Sequence, residues 1–169
     1  LALGVQAELT RDAPAVFEEF RRVRIEDCCR DGGVSVDELA ADILQSAEER
    51  GDVLAIVNLT RQARELYQAV SALAWSSGRG MRVVHLSTKM CPAHRRRVLD
   101  GVRRELEHRR EKPEERLICI STQLIEAGVD VSFPVVYRAL AGFSSIAQAA
   151  GRCNRHGGAR QGLVRIVEL

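Results

Sequence analysis

Short, almost wholly apolar runs alternate along this chain with longer stretches in which apolar residues recur every three or four positions. The short runs predict strands at Val23–Glu26, Val53–Asn58, Arg82–Leu86, Leu117–Ser121, Val135–Arg138 and Gly162–Val167. Val53-Leu54-Ala55-Ile56-Val57 has no polar alternation at all, the pattern of a parallel strand covered by helices on both faces. Between the runs lie helical patterns. Ser35-Val36-Asp37-Glu38 is a capping-box signature, followed by Leu39, Ile43, Leu44 and Ala47 on one side. Thr60 is expected to cap a helix running to about Trp75 that turns Leu66, Val70 and Leu73 inward. Pro92 suits a first helical turn, and the helix after it is expected to reach about Arg110. Ser76–Gly80 and Glu111–Glu115 read as loops. The order β-α-β-α-β-α-β predicts an α/β fold, an open doubly wound parallel sheet. In such a sheet function collects where strands end, and the candidate motifs are expected at that edge.

Length and composition sharpen this picture. At 169 residues, 46% of them hydrophobic, the chain is one domain with a sizeable core. No internal repeat or linker divides it; residues 1–20 read as a lead-in segment, and an initial Leu is read as the start of an excerpt from a longer polypeptide. A net charge of +2 hides segregation. Residues 1–60 carry six basic and thirteen acidic side chains, for −7; residues 89–112 carry nine and four, for +5; residues 138–169 carry five and one, for +4. This predicts a polyanion-facing side opposite an acidic, solvated one, although solvated helix faces produce the same counts. Aromatic content of 4% argues against stacking platforms for bases. The five cysteines (Cys28, Cys29, Cys91, Cys119 and Cys153) have no paired-ligand spacing and read as free thiols in a reducing, cytoplasmic compartment. His85, Cys91 and His94 lie close in sequence but do not have metal-site spacing, so no metal site is expected in this chain. No run approaches the length of a transmembrane helix, and no membrane partner is expected.

Three segments carry candidate chemistry. Gln148, Gly151, Arg152 and Arg155 form a Q-x-x-G-R-x-x-R pattern. On a helix, at about 100° per residue, positions 148, 152 and 155 fall within about 60° of each other. One amide and two permanent cations then share a face, suited to a polyphosphate whose charge rises during transfer. Ser121-Thr122-Gln123 comes after a buried strand and would offer hydroxyls at a helix start, where phosphate is held well. Beyond it, Gly128 permits a turn that aims Asp130 outward, toward a ribose hydroxyl. The same residues also fit an ordinary strand-to-helix connection. Asn58 and Thr60, at the end of one strand and the start of a helix, could touch a strand's phosphates. Arg95-Arg96-Arg97 and Arg103-Arg104 spread around their helix and fit a solvated basic surface or a polyanion contact. No phosphate loop G-x-x-x-x-G-K-[ST] occurs, and Lys89 and Lys112 are the only lysines. The arginines therefore point to half of a composite site.

The succession of Asn58, then Ser121-Thr122-Gln123-Leu124-Ile125-Glu126-Ala127-Gly128-Val129-Asp130, then Gln148-Ala149-Ala150-Gly151-Arg152-Cys153-Asn154-Arg155 resembles the second RecA-like domain of superfamily 2 helicases. More narrowly, it is similar to the helicase region of the CRISPR-associated helicase–nuclease of type I interference systems. The strong match covers roughly residues 117–157 and a weaker one reaches back to about residue 21. The resemblance implies Arg155 as the arginine finger on the γ-phosphate of ATP, with Arg152 beside it and Gln148 linking nucleotide to DNA. It implies Gly128 and Asp130 by the nucleotide sugar, with Gly151 also at the nucleotide. Ser121, Thr122, Gln123, Asn58 and Thr60 would grip single-stranded DNA. It also implies a first RecA-like domain carrying the phosphate loop and the Mg²⁺ ligands, an HD nuclease domain, and a guide-RNA surveillance complex as partner. Ser132 stands where an acidic residue is expected, and Gly142-Phe143-Ser144 where a Pro-Leu-Asp-like run is expected. Another superfamily 2 motor on RNA or DNA, or a helicase-like binding module without catalysis, fits the same residues less narrowly.

Overall fold

The structure, a computed structural model, describes residues 22–78, 80–108, 115–125, 129–157 and 161–169. The lead-in segment 1–20, the expected helix end at Arg110, residues 111–114 of the second loop and Gly128 lie outside the described residues. Among the described residues six strands form one sheet: β1 (Val23–Asp27), β2 (Val53–Val57), β3 (Met81–Leu86), β4 (Arg116–Thr122), β5 (Val135–Ala139) and β6 (Gly162–Val167). Every neighbouring pair is parallel, in the order β1-β6-β5-β2-β4-β3. The expected open, doubly wound sheet is what forms, and the predicted strands all appear within a residue or so of their ends.

Helices α1 (Val36–Arg50), α2 (Thr60–Ser76), α3 (Pro92–His108) and α4 (Phe143–Ala150) cover the two faces. Side chains alternate along a strand, so β2 sends Val53, Ala55 and Val57 to one face and Leu54 and Ile56 to the other. The first set packs under α1 and α2 with Leu39, Ile43, Leu66 and Val70; the second packs with Val102 of α3 and Ala149 of α4. All five residues of β2 are buried, which explains the absence of polar alternation there. The capping box at Ser35 is made as the sequence predicts: Glu38 N–H donates to Ser35 Oγ and Ser35 N–H to the Glu38 carboxylate. Those bonds and Arg30 hold the Glu38 carboxyl down at about 2.

Two expectations about α2 are corrected. Thr60 is its first helical residue rather than its cap; Leu59 holds the cap position, and the Gln62 side chain accepts from its N–H at 3.1 Å. Leu73 is 40% exposed, because the inward face runs through Ala63, Leu66, Val70 and Ala74 in steps that favour Ala74 over its neighbour.

The charge segregation is partly internal. Arg138 on β5 is fully buried. Arg165 on β6 is engaged by Glu26 and Asp42, whose carboxylates it meets at 3.2 and 2.8 Å. Tyr137 joins this network through Ser46 and Asp42, and burial pushes its phenol well above the usual range. Two of the five C-terminal arginines thus neutralise or anchor the fold, so the charge count of that stretch overstates what it presents to a polyanion. All five cysteines are free, and among the described residues no helix is long and apolar enough to cross a membrane.

His85 on β3 stacks on Tyr67 with centroids 5.6 Å apart, and burial lowers its pKa below 6.5. The unfolded chain then binds the proton more readily. The neutral ring's contribution to stability is present above pH 6.5 and is lost as pH falls through the lowered folded value. Urea denaturation of wild type and His85→Gln on either side of that range, well above and well below pH 6.5, should show a smaller loss on acidification in the variant.

Candidate nucleotide and strand sites at opposite sheet edges

Because all strands are parallel, one edge of the sheet gathers every carboxyl end. Asn58, Thr60, Ser87, Lys89, Ser121, Gln123 and Leu140 sit there. An open cavity of about 460 Å³ at this edge is lined by Thr60, Arg61, Arg64, His85, Ser87, Lys89 and Met90. None of these residues belongs to the arginine motif. Arg61, Arg64 and Lys89 bring three cations to the carboxyl edge, and none of the three stands out from the sequence as a site residue. The signal present was position: Arg61 and Arg64 come one and four residues after Thr60 on α2, so they share its first turns.

The hydroxyl expectation for Ser121 and Thr122 is corrected. Both belong to β4 and are buried, at 0% and 5% exposure, and Ser121 Oγ donates to the Thr122 carbonyl. The chain then continues in a single 3-10 turn, Gln123–Ile125, too short to act as a helix dipole. Gln123 is exposed there. Asn58 is also committed within the fold: its Nδ2 donates to the Leu140 carbonyl at 2.8 Å, and its Oδ1 accepts from Arg138 at 2.7 Å. The basic helix α3 buries Val102 alone; Arg95 staples the preceding turn through the Thr88 and Met90 carbonyls, while Arg96 and Arg97 are solvated.

The Q-x-x-G-R-x-x-R segment does not form one helical face. Helix α4 ends at Ala150, with Gly151 as its cap. Gln148 is exposed on the last turn, and the chain then bends into an isolated parallel bridge between Cys153 and Phe133. Phe133 N–H donates to the Arg152 carbonyl and Asn154 N–H to the Phe133 carbonyl, both at 2.9 Å. Pairing with the residues just before β5 outcompetes another helical turn, a tertiary contact that no periodicity reveals. It also carries the arginines to the amino-terminal edge of β5 and β6, which corrects the expectation that every motif lies where strands end.

The loop is built tightly at that edge. Cys153 is buried, its thiol pushed up to about 12 by that burial. A Cβ on Gly162 would stand 2.6 Å from Cys153 Sγ and 2.7 Å from Asn154 Cβ. Gly162→Ala should therefore cost about 1–3 kcal/mol by overpacking and shift the loop; denaturation of the purified chain reads the cost. Arg152 turns back and donates from Nε to the Ile125 carbonyl at 3.2 Å, and burial followed by the nearby Arg155 charge lowers its pKa. Arg155 projects further; its guanidinium meets the Asp130 carboxylate at 3.3 Å, and its backbone N–H donates to Ser132 Oγ at 2.9 Å. A serine in place of the expected acid thus holds the Arg155 backbone. The structure brings Asp130, Ser132, Arg152 and Arg155 together. The backbone of this loop lies before β5, while Asn58 and Thr60 lie at the carboxyl edge; the Arg152 side chain, through the Ile125 carbonyl, reaches the 3-10 turn that begins at Gln123.

Among the described residues no group of three or more His, Cys, Asp or Glu could hold a metal ion.

The family model described as the C-terminal part of the CRISPR-associated nuclease/helicase Cas3 matches residues 49–158. The CRISPR-associated nuclease/helicase Cas3 of Haloferax volcanii is 34% identical over 135 residues, which cover 77% of this chain and 14% of that protein. Among solved structures, T. fusca Cas3 has a TM-score of 0.71 at 20% identity, covering 86% of this chain and 18% of that one. The C-terminal domain of the DEAD-box protein Dbp5 has a TM-score of 0.55 at 15% identity, covering 89% of this chain and 79% of that one. The structural likenesses are to the fold, the RecA-like sheet of helicase C-terminal domains. The chain spans a small part of the Cas3 proteins it matches.

Proposed function

Since the chain belongs to the family of the Cas3 C-terminal domain, we propose that it is the second motor domain of an ATP-dependent helicase that moves on single-stranded DNA in CRISPR interference. The observation that carries this reading is the two-edged layout: an exposed Arg155–Asp130 pair before β5, which would meet a nucleotide, and a cationic cavity at the carboxyl edge, which would meet a phosphodiester strand. Helix α4 runs from the carboxyl edge to the amino edge, so a change of grip at one can be felt at the other.

The residues fit the γ-phosphate end of ATP. Arg155 has its backbone fixed by Ser132, while its head is held by an exposed pair with Asp130, 44% and 67% accessible. Such pairs contribute about 0–1 kcal/mol, so a phosphate oxyanion can replace the carboxylate easily. A guanidinium stays charged and donates a fork of N–H groups to phosphate oxygens. Bound ATP supplies the phosphoryl group that is transferred. Arg155 neutralises charge there, Arg152 braces the loop against Ile125, and Asp130, once released, is free to accept from a ribose hydroxyl. Gln148, exposed on the last turn of α4 just before Gly151, links the nucleotide loop to that helix. The phosphate loop and Mg²⁺ ligands belong to a first RecA-like domain; an HD nuclease domain, a guide-RNA surveillance complex and a cytoplasmic setting complete the reading.

Purified alone, this chain is expected to hydrolyse ATP no faster than buffer and to unwind nothing. The full-length protein is expected to be stimulated by single-stranded DNA and not by RNA of the same sequence. Robust turnover by the chain alone, or stimulation by RNA in place of DNA, would sink the proposal.

A further inference from the structure

Asn154 is the one non-glycine residue among those described with a left-handed backbone, φ +45°. Glycine adopts that conformation at lower cost, and the asparagine side chain supplies bonding that glycine lacks. Its Nδ2 donates to the Arg22 carbonyl at 2.9 Å, and the Arg22 guanidinium in turn donates to the Arg155 carbonyl at 3.1 Å. Arg22 is 133 residues away in sequence and enters β1 beside the start of β6, where Gly162 N–H also donates to its carbonyl. The two peptide groups flanking the Arg155 Cα are therefore both held: the N–H by Ser132 Oγ and the carbonyl by Arg22.

We propose that Arg22 and Asn154 are positioning residues that fix the Arg155 backbone, so that its guanidinium reaches a bound nucleotide in productive register. This rests on the reading of Arg155 as the arginine finger. Neither residue touches the nucleotide. A catalytic group misplaced by about 1 Å can lose on the order of 10²-fold in rate, and two exposed hydrogen bonds control a displacement of that size or smaller.

The test uses the full-length protein with single-stranded DNA at saturation. Asn154→Gly keeps the backbone conformation accessible and removes the amide; Arg22→Met keeps the aliphatic stem and removes the donor. Each is expected to lower kcat by roughly tenfold, with KM for ATP, DNA affinity and Tm essentially unchanged. Arg22→Lys, which can still donate to the Arg155 carbonyl, should recover part of the loss. The double variant should be little worse than either single one, because both act on one arrangement. Wild-type kcat in either single variant, while Arg155→Ala is inactive, overturns the proposal. So does a fall in kcat matched by a fall in Tm or in ATP binding, which marks a folding role. Wild-type turnover in Arg155→Ala would overturn the finger assignment, and the positioning role with it.

Discussion

Arg155→Ala in the full-length protein should cut DNA-stimulated ATP turnover by about 10³–10⁵-fold, the range over which an arginine supplied to a transferring phosphoryl group acts. That corresponds to roughly 4–7 kcal/mol of transition-state stabilisation. On the proposed finger assignment the guanidinium would meet charge that grows only as the phosphoryl group moves, so its loss would fall on kcat rather than on ground-state binding. Arg152 cannot substitute, since its Nε is engaged with the Ile125 carbonyl. DNA affinity should stay within a few fold of wild type, because the cationic cavity proposed for the strand lies at the carboxyl edge, away from Arg155. Arg155→Lys should recover little, as a point charge lacks the fork. Asp130→Ala gives the contrast: it removes an exposed partner, and its effect on turnover should be far smaller. Steady-state ATPase rates and fluorescence anisotropy with labelled single-stranded DNA measure both halves. Turnover near the wild-type rate in Arg155→Ala would remove the finger assignment.

The parallel sheet was legible because burial on both faces leaves a plain mark in sequence: β2 has no polar residue, and each of its five residues is buried. The capping box at Ser35 was equally legible, since both partners lie within one helical turn. The arginine segment was legible as chemistry and illegible as geometry. A helical wheel assumes that the helix continues, whereas Phe133, far upstream of Cys153, ends it by pairing with the chain. The location of that loop at the amino edge comes from the same long-range bridge. Arg22 was hidden for a related reason: its role depends on β1 lying beside β6, a neighbour relation set by topology rather than by local pattern. Charge counts misled where a cation was buried, as with Arg138, or paired within the fold, as with Arg165.

Asn58 separates a strand-gripping role from a structural one most sharply. In the folded chain its side chain joins the ends of β2 and β5, accepting from the fully buried Arg138 and donating to the Leu140 carbonyl. Hydrogen bonds to charged groups contribute about 1.5–3 kcal/mol and neutral ones about 0.5–1.5 kcal/mol. Asn58→Ala should then destabilise the chain by about 2–4 kcal/mol, lowering Tm by about 4–15 °C for a domain of this size. A residue serving only as a DNA contact would leave Tm unchanged and weaken DNA binding instead. Asn58→Asp divides the two bonds: it keeps the acceptor for Arg138 and loses the donor to Leu140, so it should destabilise less than Asn58→Ala. Thermal and urea denaturation of the purified chain, set beside DNA affinity of the full-length protein, decide between the roles. An unchanged Tm in Asn58→Ala would return Asn58 to the strand site, whereas a large fall makes it the tie that holds the carboxyl edge in shape for Arg61, Arg64 and Lys89 to act.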